Sequence, residues 1–283
     1  MIVVTGTMRS GTSMWMQILV AGGFSPIGER YPESWQNLCN AANPDGFYES
    51  ELVGGIYYRT NPHPVSGAYL APEPTRPHVV KVFIPGLIRT DVVFVDRCVA
   101  TVRSWRAYVV SVRRLQTLTR GASSPVETAE TMSADGSGEE APAALRWWAE
   151  NFALIRDLAT RGYPAHVVSY DALLRDPEKA VGETFEWIGA GDMRAAARVV
   201  DRRPLRRAPP DLVAVQRESR GLDSAHLEVF DEFYDHVDRG LPLSQAFVDR
   251  LNATDEALRP QVLEYHARAK IEATQHWLDR GGS

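Results

Sequence analysis

The chain opens with a strand, a glycine-bounded turn and a helix in immediate succession. Residues 2–5 (IVVT) read as a short buried strand, Gly6 to Gly11 as a turn, and 12–21 as a helix with Trp15, Ile18 and Leu19 on one face. A turn of this kind aims consecutive backbone N–H groups at one point, and the partial positive charge of the helix N-terminus adds to them. Phosphate and sulfate both suit such a place. A turn that merely joins strand to helix is the plainer alternative. The loop reads Gly6-Thr7-Met8-Arg9-Ser10-Gly11-Thr12-Ser13. It has the glycines and hydroxyl of the GxxxxGK[ST] triphosphate loop, but Thr12 stands where that pattern has lysine. The only cation in the loop is Arg9. Without the lysine that holds β- and γ-phosphates beside magnesium, a shorter group held without metal is the better fit: one phosphate followed by one sulfate.

The rest of the pattern suits one α/β domain over 1–283. HVVKVF (78–83), DVVFV (91–95) and AHVVSY (165–170) read as buried parallel strands. Helices are expected at about 48–58, 99–118, 142–161, 177–188 and 192–200, with a helical part over 210–283. Residues 24–47 and 59–77 read as loop. Residues 119–140 are rich in Ser, Thr, Gly and Glu and read as a flexible insertion. This insertion and the helical C-terminal part are candidates for a lid or a homodimer contact.

Composition narrows the function classes. A net charge of −5 argues against general nucleic-acid binding. There is no long apolar run to span a membrane, and the opening MIVVTGTMRSG is not expected to act as a secretion leader. Two cysteines, Cys39 and Cys98, are too few for a disulfide framework and lack ligand spacing. The expectation is a cytoplasmic protein without a metal site. Only Lys81, Lys179 and Lys270 are lysines among 31 basic residues, so Arg can stand where other proteins use Lys.

Arg9-Ser10-Gly11-Thr12-Ser13-Met14-Trp15 resembles the 5′-phosphosulfate loop, roughly [KR]-S-G-T-[TS]-x-[LW], of the PAPS-dependent sulfotransferase superfamily. PAPS is 3′-phosphoadenosine-5′-phosphosulfate. The resemblance implies a three-layer P-loop-like fold with a central, mostly parallel sheet. It implies transfer of a sulfuryl group from PAPS to a hydroxyl or amine of a small-molecule acceptor, leaving PAP, adenosine 3′,5′-bisphosphate. By the same resemblance Arg9 contacts the phosphosulfate, and Ser10, Gly11, Thr12 and Ser13 supply amides and hydroxyls to the 5′-phosphate.

Further segments carry the resemblance. Lys81-Val82-Phe83-Ile84-Pro85 is similar to the K-T-H-L-P segment of cytosolic relatives; Lys81 is kept, while Phe83 replaces the histidine that serves there as base. Asn43-Pro44-Asp45-Gly46-Phe47-Tyr48-Glu49 resembles the NPxGxxE segment of a bacterial branch, where the Glu lies near the acceptor. Glu49 is therefore the candidate general base, a role in which a buried carboxylate contributes roughly 10²–10⁴ in rate. A structural Glu at a helix start, paired to an Arg, is the rival reading; His63 is a lesser candidate base.

Relatives hold the 3′-phosphate with an Arg after a strand and a Ser eight residues later. Here Arg97 and Ser104 are the assigned pair, seven apart. A strand-end Arg paired to a carboxylate is the alternative for Arg97. Ser169-Tyr170-Asp171-Ala172-Leu173-Leu174-Arg175-Asp176-Pro177 is similar to the family's [RS]-Y-E-D-L-xx-[DN]-P, which brings Tyr170 toward adenine; Tyr170 as plain core is the alternative. The basic run 194–207 offers Arg202, Arg203, Arg206 and Arg207 for the 3′-phosphate, or is a solvated face. Two other functions stay open: a P-loop nucleotide-dependent kinase, with Asp96 at the end of VVFVD on magnesium, and a non-catalytic nucleotide-binding member of the fold.

Overall fold

The computed structural model describes residues 1–30, 46–120, 141–201 and 211–279. Five parallel strands form the sheet: β1 (Ile2–Thr5), β2 (Ser25–Ile27), β3 (His78–Lys81), β4 (Arg97–Val102) and β5 (Ala165–Ser169). Their order is β2-β3-β1-β4-β5. The helices are α1 (Thr12–Ala21), α2 (Pro72–Thr75), α3 (Ile84–Arg89), α4 (Trp105–Arg120), α5 (Ala143–Arg161), α6 (Tyr170–Arg175), α7 (Pro177–Ile188), α8 (Met193–Asp201), α9 (Leu212–Glu218), α10 (Ser224–Arg239) and α11 (Gln245–Asp279). The protein is thus α/β, a parallel sheet flanked by helices with a helical C-terminal part, as expected.

The period-two alternation of a strand explains the layers. Ile2, Val4, Val79 and Val99 bury on one face with Trp15, Ile18 and Leu19 of α1 and Val181 and Phe185 of α7. Val3, Val80, Cys98 and Ala100 bury on the other with Leu87 of α3 and Leu154 of α5. A third core joins α4, α5 and the C-terminal helices around Trp105, Trp147, Trp148, Phe230, Phe233 and Phe247. There the Trp148 and Phe230 rings stack 4.8 Å apart. Side-chain caps start several helices: Asp176 accepts from Lys179 N at 3.1 Å and Asp223 from His226 N at 2.9 Å.

Several boundaries differ from expectation. Asp91–Val95 is not a strand: Asp91 caps a 3-10 turn, Val92–Phe94, and the strand is the following RCVATV. In the turn Val92 and Val93 stay exposed while Phe94 anchors the core, so an apolar run alone did not identify the buried strand. The strand displaces the expected helix start, and α4 begins at Trp105. Only a 3-10 turn, Glu51–Gly54, forms within the expected 48–58 helix. The expected loops hold the edge strand β2 and the short α2. Pro26 is accommodated in β2 because only β3 pairs with it. The 121–140 part of the expected insertion lies outside the described residues.

Candidate functional site

The registers Val4↔Lys81, Thr5↔Ala100 and Val102↔Ser169 bring the ends of β3, β1, β4 and β5 to one edge. Successive strands depart in opposite directions from β1, and ligands in open parallel sheets bind at such a switch point, beyond the carboxyl ends. The loop from Gly6 to Ser13 stands there.

Local geometry demands this loop's residues. A Cβ on Gly6 would lie 2.4 Å from the Thr101 carbonyl oxygen, so β4 can approach only a glycine. Gly11 has φ +107°, and a Cβ there would lie 2.6 Å from the Tyr170 ring. Arg9 itself takes φ +67°, a conformation that costs a non-glycine residue energy. Its surroundings impose it: Arg103 donates through Nη1 to the Arg9 carbonyl at 3.1 Å. Ser10 N and Oγ both donate to Thr7 O, and Thr101 Oγ1 donates to Ser10 O at 3.0 Å. Helix α1 then starts with no acidic residue in its first turn and no side chain capping it. Its first amides keep their donor capacity and its dipole is uncompensated, which favours an anion.

Three cations surround this terminus. Arg9 Nε donates to Ser111 Oγ at 3.3 Å. Lys81, at the end of β3 and 1% exposed, donates to Ser13 Oγ at 3.3 Å and Glu49 Oε1 at 2.5 Å. Arg103 lies over the Tyr170 ring, 4.7 Å from its centroid. Burial pushes the Arg103 guanidinium down from its ordinary pKa, Tyr170 and Asp171 oppose that, and Arg9 adds to it. Arg103 Nε and Thr7 Oγ1 are buried without a hydrogen-bond partner. Such orphaned polar atoms are costly, and an oxyanion accepts from both kinds of donor.

The expected residues Arg9, Ser10, Gly11, Thr12, Ser13, Lys81 and Tyr170 therefore come together, with Glu49 joined to Lys81. Glu49 is held by a lysine rather than an Arg, and its backbone carbonyl accepts from Glu29 N at 3.0 Å. Ser104 ends the β4 connection, and its carbonyl accepts from Tyr108 N at 2.9 Å.

Arg97 does not join the site. It pairs in register with Ile2 at the opposite edge of the sheet and packs on Trp187, 5.7 Å from the ring centroid. A strand that ends at Val102 rather than Val95 moves the strand-end arginine to Arg103. Ser111 then falls eight residues on, the spacing that the sulfotransferase resemblance implies for such an Arg and Ser. That spacing was readable in the sequence, but the misplaced strand hid it. Asp96 also lies at the far edge, beside the Met1 amino group and Arg76, away from the loop where magnesium would be needed. Met14 and Trp15 are core, at 5% and 0% exposure. His63 Nδ1 accepts from Ser66 N and its Nε2 lies 2.7 Å from Glu51, so it is engaged by its own loop and by the 3-10 turn, away from the α1 loop bonds. Arg202, Arg203, Arg206 and Arg207 lie outside the described residues.

Among the described residues no cluster of three or more His, Cys, Asp or Glu side chains could hold a metal ion, and no helix is long and apolar enough to cross a membrane. No family model matches the chain, and no curated protein matches it.

Proposed function

We propose that this protein binds PAPS at the α1 terminus and transfers its sulfuryl group to a hydroxyl or amine of a small-molecule acceptor. The convergence of Arg9, Lys81 and Arg103 on an uncapped helix N-terminus at the carboxyl ends of the strands carries the reading. In it, the amides of Gly11 to Ser13 hold the 5′-phosphate and Arg9 neutralises the bridging oxygen that leaves. Arg103 and Ser111 hold the 3′-phosphate, with Tyr170 beside the adenine. Lys81 has three donor hydrogens; Ser13 and Glu49 take two, and the third serves the sulfuryl oxygens. The acceptor atom forms a bond to sulfur as the bond from sulfur to the bridging oxygen breaks. PAP leaves, and the acceptor proton passes to Glu49. Alignment and charge neutralisation supply the rate.

The Lys81–Glu49 contact favours a second reading, a nucleotide binder without transfer, because each candidate catalytic group neutralises the other. The deciding experiment compares melting temperatures with PAP, ADP and ATP, then follows labelled sulfuryl transfer from PAPS across an acceptor panel. A shift with PAP and labelled product support transfer. A shift without product supports the second reading. A shift only with ATP and magnesium rejects transfer from PAPS and favours the kinase reading.

A further inference from the structure

The helical C-terminal part reaches the proposed nucleotide site through one helix. Tyr234 on α10 donates to Asp171 Oδ2 at 2.6 Å. One turn further along, Asp238 accepts from Ser169 Oγ and pairs with Arg175 at 2.5 Å. Ser169 Oγ also accepts from Ala172 N at 2.8 Å, so it caps α6 while bound to α10. The two α10 side chains are four residues apart and share a helix face. They therefore grip Ser169 and Asp171, the residues on either side of Tyr170.

Tyr170 is the wall of the loop. Its ring abuts Gly11 and carries the Arg103 guanidinium on its face. Asp171 and Tyr234 themselves act electrostatically on Arg103. Nothing in the sequence motifs of the loop points to α10, which lies more than fifty residues beyond Tyr170.

We propose that Tyr234 and Asp238 are positioning residues of the nucleotide site: through Asp171 and Ser169 they set where Tyr170 and Arg103 stand against the loop. The inference rests on the nucleotide reading above. It makes α10 a part of the site's architecture in addition to its place in the aromatic core with Val229, Phe230 and Phe233. A first turn of α6 released from α10 would let the Tyr170 ring leave Gly11 and the guanidinium lose its seat, weakening nucleotide binding, while the Ser10 and Thr101 bonds keep Arg9 in the loop and Lys81 stays on β3.

The test is calorimetric titration of the full chain with PAP, for the unaltered protein, Tyr234→Phe, Asp238→Asn and Val229→Ala. The last loosens α10 within the aromatic core without touching α6. We expect PAP affinity to fall roughly 5- to 20-fold in Tyr234→Phe and Asp238→Asn, the range of a modest coupling between sites. Val229→Ala should melt at a lower temperature yet bind PAP within twofold of the unaltered protein. With labelled PAPS the two positioning variants should raise KM for the donor and hold kcat. If Tyr234→Phe does not fold, the Asp238→Asn comparison decides. Equal PAP affinity across all four overturns the inference while leaving the nucleotide reading intact, as does a loss in Val229→Ala as large as in the other two. No PAP binding by the unaltered protein removes the nucleotide reading, and the inference with it.

Discussion

The Lys81 ammonium sits 2.5 Å from Glu49 Oε1, and the two side chains are 1% and 7% exposed. Lys81 comes from the end of β3. Glu49 comes from the segment that bridges to Glu29. The pair therefore ties that segment to the sheet edge, right beside Ser13 of the loop. Desolvation offsets most of the Coulombic gain of a buried pair, but removing one member strands the other charge.

Lys81→Met should accordingly destabilise the protein by about 3–5 kcal/mol, read by chemical denaturation. Glu49→Gln should cost less, since the amide still accepts from the ammonium. Replacing both, Lys81→Met with Glu49→Leu, should recover much of the Lys81→Met loss. In transfer assays Glu49→Gln should lower kcat by roughly 10²–10⁴ if the carboxylate is the proton acceptor; a kcat within threefold would remove it from that role.

At Gly11 a methyl group has no room. Gly11→Ala meets the Tyr170 ring and needs a left-handed backbone, which alone costs about 1–2 kcal/mol. The variant should fold, because the sheet core does not depend on this residue, but lose most of the PAP-induced rise in melting temperature. An unchanged rise would mean that the loop does not hold the nucleotide.

Arg9→Ala should lower kcat far more than Arg207→Ala, as the Arg9 side chain stands at the loop beside Ser111. Equal, small losses in single-turnover transfer would remove Arg9 from the reacting centre.

The order of strand, turn and helix at the start was legible because three signals coincide within about 20 residues: a β-branched run, glycines at fixed positions and helical periodicity. Lys81 was legible because its segment resembles K-T-H-L-P, although the strand expected over 78–83 ends on it. Glu49 was found, but its partner was not, since 32 residues separate it from Lys81 and nothing local encodes the pairing. Arg97 was misjudged for a physical reason. VVF looks more strand-like than CVATV, yet small residues such as Cys98 and Ala100 are what let α3 and α5 pack closely on the sheet. The buried strand was thus the less hydrophobic of two neighbouring segments, and burial on both faces is a tertiary property.

If Arg103 and Ser111 hold the 3′-phosphate, Arg103→Met should weaken PAP much more than adenosine 5′-phosphate. A charge-assisted contact is worth about 1.5–3 kcal/mol, a loss of roughly 10- to 150-fold. Arg97→Met should leave the ratio of the two affinities unchanged. Parallel losses for both ligands in Arg103→Met would limit Arg103 to supporting the Arg9 carbonyl.

Glu150 on α5 supplies a pH dependence independent of any ligand. Glu150 is partly exposed, yet loss of solvation among the packed helices pushes its carboxyl up from 4.5 to about 7, with Arg146 one turn earlier opposing. Between those values the folded protein holds a proton that the unfolded chain has released, so stability falls as pH rises through this window. The contribution is complete below 4.5 and lost above about 7. Glu150→Gln keeps the shape without the titration. The melting temperature of the unaltered protein should therefore drop relative to Glu150→Gln as pH is raised from about 5 to 8. A constant difference between the two proteins across that range would show that the Glu150 carboxylate is solvated in the folded state.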